Sequence, residues 1–398
     1  MLIALFICML LGVGIGSYLM LVRAQARNVG RSQDWNRALT VSEAGVEEAL
    51  AQLNPGIGAP VDLTAHGWGA PSGGFYGPKS RSISNDSYTV TYTADSLPVI
   101  YSTGLVSSAN SSISRVIQAQ TTNPPLFTLA IGARNGIDMS GNALATDSFD
   151  SSKTNLSSNG IYDSTKASTN GAIASIAGGV NLGGHTIDGN LYLGPNATFG
   201  GSGTISGSES YDLNMDFPDV VLPVPVSTFI NPTASPTSIN GTTYSYCLTN
   251  SGYYSVPSSG NIYVAAGAKV VLYVPSSMGN IYVAGTGTNA GNMQAYVAAS
   301  TLTTAATSES GIASCIGMWG LPTCTSITLG GNQQFTGTIY APEASLTLNG
   351  GGTSDLDLCG SFIVNHLTVK GHYQFHYDEA LRQTGPNRGL TVASWREL

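Results

Sequence analysis

The chain has 398 residues, of which only 10 % are Asp, Glu, Lys or Arg, and its net charge is -8. No cluster of Lys or Arg occurs after Arg37, which argues against a nucleic-acid surface because phosphate binding requires clustered cations. The 49 glycines, with many Ser, Thr and Asn residues, are typical of extended β structure with frequent turns.

An unbroken apolar run, Met1 to Val22, opens the chain and carries no charge before Arg23. At 1.5 Å per residue, a helix of this length covers a bilayer core of roughly 30 Å, so the run predicts a membrane-spanning helix. Gly12 and Gly16 form a GxxxG pair of the kind found where membrane helices pack closely. A flexible point in a lone anchor is the alternative interpretation of the same glycines.

The helical pattern continues past Arg23 until Asn54, Pro55 and Gly56 end it. The sequence therefore predicts one helix over residues 1–53, roughly 80 Å long. A helix of that length cannot bury its apolar stripe against a small domain alone. We therefore expect this helix, the stem, to pack laterally with copies or relatives of itself. The residues expected to make this packing are Leu5, Gly12, Gly16, Leu39, Val46, Leu50 and Leu53.

A linker and a small sheet are expected over residues 54–125. The segment from Asn54 to Arg81 is rich in Gly and Pro and predicts a long irregular connection. Three alternating runs follow between Ser87 and Ala119, namely SYTVTYT, LPVIYSTGLV and SISRVIQAQ. They predict a small antiparallel sheet that lies against the end of the stem.

Beyond Leu126, several stretches share a pattern of short apolar alternations that end in Gly or Asn and begin again. This pattern predicts a right-handed parallel β-solenoid over 126–382, in which each short strand stacks on its counterpart one coil later. The residues expected to point inward are Val180, Leu182, Ile187, Leu191, Leu193, Ile327, Leu329, Ile339, Leu346 and Leu348. The Pro-rich insertion from Tyr211 to Tyr254 interrupts the rhythm.

The predicted fold class is thus α+β: a long N-terminal helix, a small antiparallel sheet and a mainly-β solenoid, followed by a C-terminal tail over 383–398. A β-sandwich is the alternative for the large domain, because the repeat length is uneven.

Five cysteines are present, with Cys8 inside the apolar helix. The other four have neither CxxC spacing nor an adjacent His, as a zinc site requires. We predict two disulfides, Cys315 with Cys324 around a short loop and Cys247 with Cys359 by elimination, although four cysteines allow three pairings. Such disulfides would imply an oxidising, extracytoplasmic location.

Four arginines between Arg23 and Arg37, opposed only by Asp34, follow the apolar run. The positive-inside tendency alone places this side of the membrane in the cytoplasm. We give more weight to the cysteines and the composition, which favour an exported domain.

Several of these stretches resemble type IV pilins and pseudopilins, in particular the PilX-type minor pilins. The stem segment ALTVSEAGVEEAL, Ala38 to Leu50, is similar to the family's alanine- and glutamate-rich stretch. TGTIYAPEASLTLNG, QFHYDEAL (Gln374 to Leu381) and DSFDSS (Asp147 to Ser152) are similar to motifs of the C-terminal domain in these proteins. With the stem, the resemblance covers most of the chain.

The resemblance also has departures. No basic leader or Gly-Phe cleavage site precedes the apolar run, so we expect a chain that starts near the mature terminus or has a trimmed start. Leu5 stands where most major pilins carry Glu, a residue linked to registry between subunits. The resemblance therefore implies a minor or tip component rather than a bulk filament subunit.

The acidic and histidine-containing motifs contain candidate metal ligands. His372 and His376, followed by Asp378 and Glu379, form a conceivable divalent-metal cluster, but zinc needs three or four convergent ligands. We prefer to interpret the motif Phe375, His376, Tyr377, Asp378 and Glu379 as a C-terminal cap, with Asp378 near a helix start. Asp147 and Asp150 could bind Ca²⁺, yet that ion takes six to eight oxygens, and turn formation is the simpler role.

The sequence thus predicts a structural protein with no cofactor and no catalytic residues: a pilin-like subunit of a type IV pilus or type II secretion-like filament. Its partners would be other pilin or pseudopilin subunits, contacted through the N-terminal helix, and the bacterial inner membrane before assembly. After assembly it would display the solenoid outside the cell for adhesion or assembly. The alternative is a membrane-tethered solenoid that binds carbohydrate or degrades polysaccharide, although its carboxylates are thinly spread for such chemistry.

Overall fold

The computed structural model describes residues 2–54, 66–108, 111–139, 144–239, 241–256, 259–330, 334–350 and 356–398. They form two compact units. Unit 1 contains the described residues up to Pro124 together with 389–398, and unit 2 contains those from Pro125 to Arg388. The predicted helix stop at Pro55 and Gly56 lies outside the described residues.

Unit 1 begins with helix α1, Leu2–Leu53, which runs through Arg23 without a break. The predicted long helix is confirmed, and its 52 residues correspond to about 80 Å. Its apolar side chains from Leu2 to Val22 are exposed, Leu2 by 84 % and Leu10 by 57 %. By length and composition α1 is able to cross a membrane.

The sheet of unit 1 is antiparallel and has five strands in the order β1, β2, β3, β4, β30. Their bounds are β1 Phe75–Ile83, β2 Asp86–Thr93, β3 Val99–Ser108, β4 Ser111–Thr122 and, last in the chain, β30 Thr391–Glu397. The predicted small antiparallel sheet is confirmed in β2, β3 and β4. Two predictions are wrong: β1 occupies part of the expected irregular connection, and the expected C-terminal tail pairs with β4.

The C-terminal half of α1 packs on this sheet. Ala38, Val46 and Ala49 are buried in one cluster with Val90 and Ile117. The approach is close because Gly45 on α1 and Gly104 on β3 have no side chain. A Cβ at Gly104 on β3 would lie 2.3 Å from the Ala38 carbonyl oxygen and 2.6 Å from the Ser42 nitrogen, both backbone atoms of α1.

Glu48 of α1 provides the main polar contact in the same interface. Its carboxylate pairs with Lys79 at 2.8 Å and with Arg81 at 2.7 Å, and it accepts a hydrogen bond from the Tyr88 hydroxyl. Burial tends to raise the pKa of Glu48, but these bonds and charges outweigh it and the pKa is lowered. Burial and the Glu48 bond raise the pKa of Tyr88 to about 12, so the pair remains a phenol and a carboxylate.

Unit 2 consists mainly of short strands. Its elements are β5 Ile131–Ala133, β6 Ile137–Asp138, β7 Leu144–Phe149, β8 Ile173–Ser175, β9 Val180–Asn181, β10 Thr186–Ile187, β11 Leu191–Leu193, β12 Phe199–Gly200, β13 Thr204–Ile205, β14 Glu209–Ser210, β15 Thr237–Ile239, β16 Thr242–Tyr244, β17 Tyr246–Leu248, β18 Gly252–Ser255, β19 Ile262–Val264, β20 Lys269–Val274, β21 Ile281–Val283, β22 Asn292–Val297, β23 Thr301–Thr304, β24 Ala306–Ser308, β25 Ile316–Gly320, β26 Ser326–Gly330, β27 Phe335–Asn349, β28 Leu356–Val369, β29 Tyr373–Asp378 and helix α2 Leu381–Thr384. Single 3₁₀ turns lie at Ser164–Lys166, Val226–Thr228, Gly287–Asn289 and Ala313–Cys315.

These strands form parallel ladders. Ladder A runs β18, β20, β22, β25, β27, β28, β5, β8, β11, β14, and ladder B runs β23, β26, β27, β28, β6, β9, β12. Ladder C runs β27, β28, β29, β7, β10, β13, and a separate four-stranded sheet runs β17, β19, β21, β24. The long strands β27 and β28 bend through all three ladders. Parallel pairing of this kind is not that of the antiparallel sandwich considered as the alternative.

The core of unit 2 lies between the ladders. All the side chains expected from the sequence to point inward are buried there, including Ile187, Leu193 and Leu346, each fully shielded. The alternation of apolar and polar residues therefore identified the inner face of each strand, as the period of two requires.

The order of strands along ladder A differs from their order along the chain. Strand β28 pairs with β27 on one side and with β5 on the other, so the last part of unit 2 stacks directly on its first part. From β5 the ladder continues outward to β14, and the chain then returns to the far end to form β18. The connection over residues 211–230, which we call the strap, makes this return.

The strap packs on the outer side of ladder A. Phe217 is fully buried, and its ring lies over Gly132. A Cβ at Gly132 would be 3.0 Å from the Phe217 ring. The Tyr340 hydroxyl donates to the Pro218 carbonyl at 2.7 Å. At the far end, the ring centroids of Phe229 and Tyr273 are 5.6 Å apart. The predicted interruption is therefore a packed segment rather than a loose insertion.

The two predicted disulfides are wrong in this structure, where all five cysteines are free. Strand β25 separates Cys315 from Cys324 by about 16 Å of extended chain, whereas bridged Cα atoms lie within about 7 Å. Cys247 pairs in register with Tyr263 in the four-stranded sheet. Cys359 instead lies between Thr336 and His376 on ladder C. Sequence proximity and elimination could not detect these separations.

The free thiols can be counted directly. We expect the protein, unfolded without reductant and treated with iodoacetamide, to carry five alkyl groups by mass spectrometry, because none of its sulfurs is bridged. A sample reduced before alkylation serves as the control and should give the same mass. A non-reduced sample that lacks two or four alkyl groups would restore the disulfide prediction.

The close contact at Gly104 yields a second expectation. Gly104→Ala should lower the stability of unit 1 by about 1–3 kcal/mol, because its Cβ meets backbone that cannot move independently. Protection of β3 amides in hydrogen–deuterium exchange, measured on the detergent-solubilised chain, reports this loss. The control is Gly30→Ala, where a Cβ on α1 meets nothing within 4 Å. Equal protection in both variants would contradict the packing described here.

Candidate functional site

The motif expected to cap the C-terminus lies on β29, which is an interior strand. Residues of β29 pair with β28 on one side and β7 on the other, so that His376 stands between Cys359 and Asp147. The cap prediction is wrong in its position, because a cap covers the end of a stack and this strand joins two parts of it. The DSFDSS and FHYDEAL motifs meet here, although more than 200 residues separate them in the chain.

His376 is the centre of this junction and is only 3 % exposed. Its Nδ1 lies 2.6 Å from Oδ1 of Asp147, and its Nε2 lies 3.3 Å from Oδ1 of Asp357. The Tyr162 ring stacks on the imidazole with centroids 3.5 Å apart and an interplanar angle of 16°. The Tyr162 hydroxyl donates to the second oxygen of Asp147 at 2.6 Å. We call these four residues the histidine clasp.

The electrostatics of the clasp favour the imidazolium. Burial alone would lower the pKa of His376, but hydrogen bonds and negative charge from Asp147 and Asp357 outweigh burial and raise it. A doubly protonated ring has a donor on each nitrogen, which matches an acceptor on each side. The Tyr162 pKa is raised by burial and by Asp147, so its hydroxyl keeps the proton that it donates.

Asp378 connects the end of β29 to the segment that follows β7. It is 1 % exposed and accepts bonds from the Ser151 nitrogen at 3.0 Å, the Ser151 hydroxyl at 2.7 Å and the Ala380 nitrogen at 3.1 Å. Burial raises its pKa in spite of these bonds. The contact with Ala380 agrees with the predicted position near a helix start, since α2 begins one residue later, but the helix has only four residues.

Glu379 completes the connection between the two motifs. Its Oε1 accepts from the Ser148 hydroxyl at 2.8 Å and from the Asn170 amide at 2.9 Å. The Tyr377 hydroxyl donates to the Phe127 carbonyl at 2.7 Å, and Phe375 is fully buried in the core. Every residue of the predicted motif therefore binds a part of the chain far from it in sequence.

The geometry does not suit the ligand sites that were considered. His376 lies on β29 and His372 precedes that strand, so four residues, or about 13 Å of extended chain, separate them, too far to share one ion. The Asp150 carboxylate is held by Lys153 at 2.6 Å, and its pKa is lowered because Lys153 and Ser152 outweigh burial. Among the described residues, no three His, Cys, Asp or Glu side chains gather as metal ligands do.

The polar groups of the clasp bond to one another across three strands and a loop. Cys359, next to His376 in register, is buried, and burial raises the pKa of its thiol. Both nitrogens of His376 face carboxylates. Sequence reasoning did not identify Tyr162 and Asp357 as neighbours of His376, because no periodic pattern connects them to the FHYDEAL motif.

The residues predicted to pack stems divide into two groups. Leu5 is 72 % exposed, and a Cβ at Gly12 or Gly16 would meet nothing within 4 Å, so these positions are open in a single chain. Of the other four, Val46 is buried against the sheet of unit 1, and Leu39, Leu50 and Leu53 are partly buried against it. Packing of these seven positions against a neighbouring stem stays a prediction.

Comparison with known proteins gives a family match and a similar solved structure. Residues 249–384 match the model of a family described as a domain of unknown function (DUF7305), which covers less than half of the chain and lies within unit 2. A solved structure, the competence-associated pilin ComZ from Thermus thermophilus, is similar at 12 % identity over 92 % of this chain and 98 % of that chain. Its TM-score is 0.28, too low to carry an argument. No curated protein matches.

The histidine clasp makes stability depend on pH. Because the folded pKa of His376 exceeds the unfolded value of about 6.5, its stabilisation is complete below that pH and is lost as pH rises through the folded pKa. The difference in unfolding free energy between the native chain and His376→Gln should therefore be larger at about pH 5.5 than at about pH 8.5.

The titration of His376 can also be followed by NMR of its ring protons, with His376→Gln used for assignment. We expect a midpoint above 6.5, and a lower midpoint in Asp357→Asn, which removes one charge while keeping the shape of the side chain. A midpoint at or below 6.5 in the native chain would contradict the clasp.

Proposed function

We propose that this protein is a pilin-like filament subunit, a minor pilin or pseudopilin of a type IV pilus or type II secretion-like system. The observation that supports it is α1, which continues without a break from an apolar, exposed segment into a segment packed on its own sheet. Apolar surface of this extent is stable only in a membrane or against other apolar helices. A filament subunit uses both environments, the membrane before assembly and neighbouring stems after it.

The division of α1 supports the same role. Ala38 to Leu53 are occupied by the sheet of unit 1, whereas the segment up to Val22 is free to contact neighbours. A groove along this segment, lined by residues between Ile7 and Tyr18, includes Gly14 and is almost wholly apolar. Small residues allow close approach between helices, so the exposed segment is the part that we assign to packing between subunits.

In the proposed mature arrangement, unit 2 is a right-handed β-solenoid displayed outside the cell. Parallel ladders that the chain visits in turn support the solenoid, and right-handed crossovers are the rule for parallel strands. Extracellular display rests on the pilin-like stem, since the cysteines are free and do not support an oxidising compartment.

We further propose that the protein has a structural rather than a catalytic role. The histidine clasp supports this, because its polar groups are engaged with one another and its thiol remains protonated. Adhesion or assembly is the end use that we assign to the displayed unit. A simple membrane tether carrying unit 2 is the competing role.

Crosslinking of stems separates a filament subunit from a tether. In a Cys8→Ser background expressed in its native host, Val29→Cys on the exposed stem should form dimers and higher ladders under oxidation, because stems of a filament lie side by side. Val29 is 57 % exposed. The matched control is Thr237→Cys, on the exposed hairpin strand β15 of unit 2.

Ladders from Val29→Cys, with none from Thr237→Cys, would support the filament role. A chain that remains monomeric in both variants would instead identify a tether and end the filament proposal.

A further inference from the structure

Unit 2 contains a cleft of about 390 Å³ that lies apart from the histidine clasp. Its floor and one wall come from the outer faces of β22, β25 and β27, and the opposite wall comes from the segment that includes Leu381 and Pro386. The volume falls in the range of small-molecule sites, roughly 300–1,000 Å³. Neither the proposed filament role nor the core packing requires this space.

The Gln294 side chain reaches its place in the cleft lining because position 317 is glycine. In the ladder register, Gly317 lies between Gln294 and Thr338, and both of these neighbours line the cleft. A Cβ at this position would lie 2.1 Å from the side-chain oxygen of Gln294 and 2.9 Å from Nε1 of Trp319. A strand interior favours residues with side chains, and a glycine there often marks a place where another group approaches closely.

Rigid aromatic rings form the wall. Trp319 stacks on Tyr296 with centroids 6.1 Å apart and an interplanar angle of 21°, and it also contacts Phe127 and Tyr340. Trp319 is 5 % and Tyr296 is 8 % exposed, so a bound molecule would meet only the small part of each ring that faces the cleft. Rings held in this way lose little conformational entropy on binding.

Amide side chains line the floor beside these rings. Trp319 Nε1 donates to the Gln294 carbonyl oxygen at 2.8 Å, Gln294 donates to Asn292 at 2.9 Å, and Asn292 donates to the Ser314 carbonyl at 2.8 Å. Each amide nitrogen carries two N–H groups, and each uses one of them in these bonds between described residues. The chain of bonds fixes the orientation of both amides and leaves donor capacity toward the cleft.

The lining carries no charge. Its residues are aromatic, aliphatic, amide or hydroxyl-bearing, and Tyr296 is neutral because burial raises its pKa to about 12. An ionic ligand would find no countercharge there, and a purely apolar ligand would leave the amides without partners. A molecule with both apolar faces and many hydroxyl groups satisfies both kinds of surface.

We infer that this cleft binds a neutral saccharide of one or two rings. C–H groups of the sugar contact the exposed parts of Trp319 and Tyr296, and its hydroxyl groups bond to Gln294, Asn292 and Thr338. The site does not depend on the role of the stem, so a tether or a filament subunit would carry it equally.

Binding is tested on the detergent-solubilised full chain by saturation-transfer NMR and calorimetry. The probes are glucose, galactose, N-acetylglucosamine and the disaccharide cellobiose, with glucuronic acid as an anionic comparison. We expect saturable binding of at least one neutral sugar, and weaker binding of glucuronic acid.

Two variants connect binding to the cleft. Gly317→Ala should weaken binding by roughly tenfold or more, because the new Cβ displaces the Gln294 amide and the Trp319 indole nitrogen that it would meet within 3 Å. The matched control Gly330→Ala lies on the neighbouring strand β26, where the nearest atom to a Cβ is 4.0 Å away, and should bind as the native chain does.

Gln294→Met keeps the side-chain length and removes the amide, so it should also lose binding even if Gly317→Ala does not fold. Thermal unfolding of each variant monitors folding. Binding that is absent for every neutral probe, or that is equal in the native chain and a folded Gln294→Met, would show that the cleft is only a packing defect and overturn the inference.

Discussion

The pairing of β28 and β29 with β5, β6 and β7 is the contact on which unit 2 depends. Ladders A, B and C all pass through this junction, so the first and last parts of the unit form one continuous stack only where these strands meet. Because the paired residues are separated by more than 200 positions, closing the junction carries a large loop entropy. The junction therefore needs interactions beyond backbone bonds, and the buried polar groups of both motifs supply them.

The histidine clasp is suited to holding this junction because its hydrogen bonds are directional. A hydrophobic contact tolerates sliding between strands, whereas His376 between two carboxylates and Asp378 on two backbone amides specify one register. A one-residue slip would turn the imidazole to the core face and leave its charge unpaired. The motif that resembled a terminal cap is in this structure a register lock between distant parts of the chain.

The two halves of α1 differ in whether the chain itself supplies a packing partner. On α1, residues from Ala38 onward meet their sheet through Gly104, so this half of the helix is fixed within the chain. The half before Arg23 has no partner of that kind among the described residues. That asymmetry underlies the proposed filament role, while the cleft beside Gln294 and Trp319 belongs to unit 2 alone, and the saccharide binding inferred for it is independent of the stem.

The sequence by itself determined the features that depend on local periodicity. The helix through Arg23, strands β2 to β4 and the inward side chains such as Ile187 and Leu346 were all predictable, because backbone period and apolar pattern act over a few residues. Only the tertiary structure decided which strands are neighbours. Contacts between residues far apart in the chain set the position of β30, the interior place of β29, the separation of Cys247 from Cys359 and the approach of Tyr162 to His376. A pattern of alternation acts over a few residues and does not specify which distant strand becomes a neighbour.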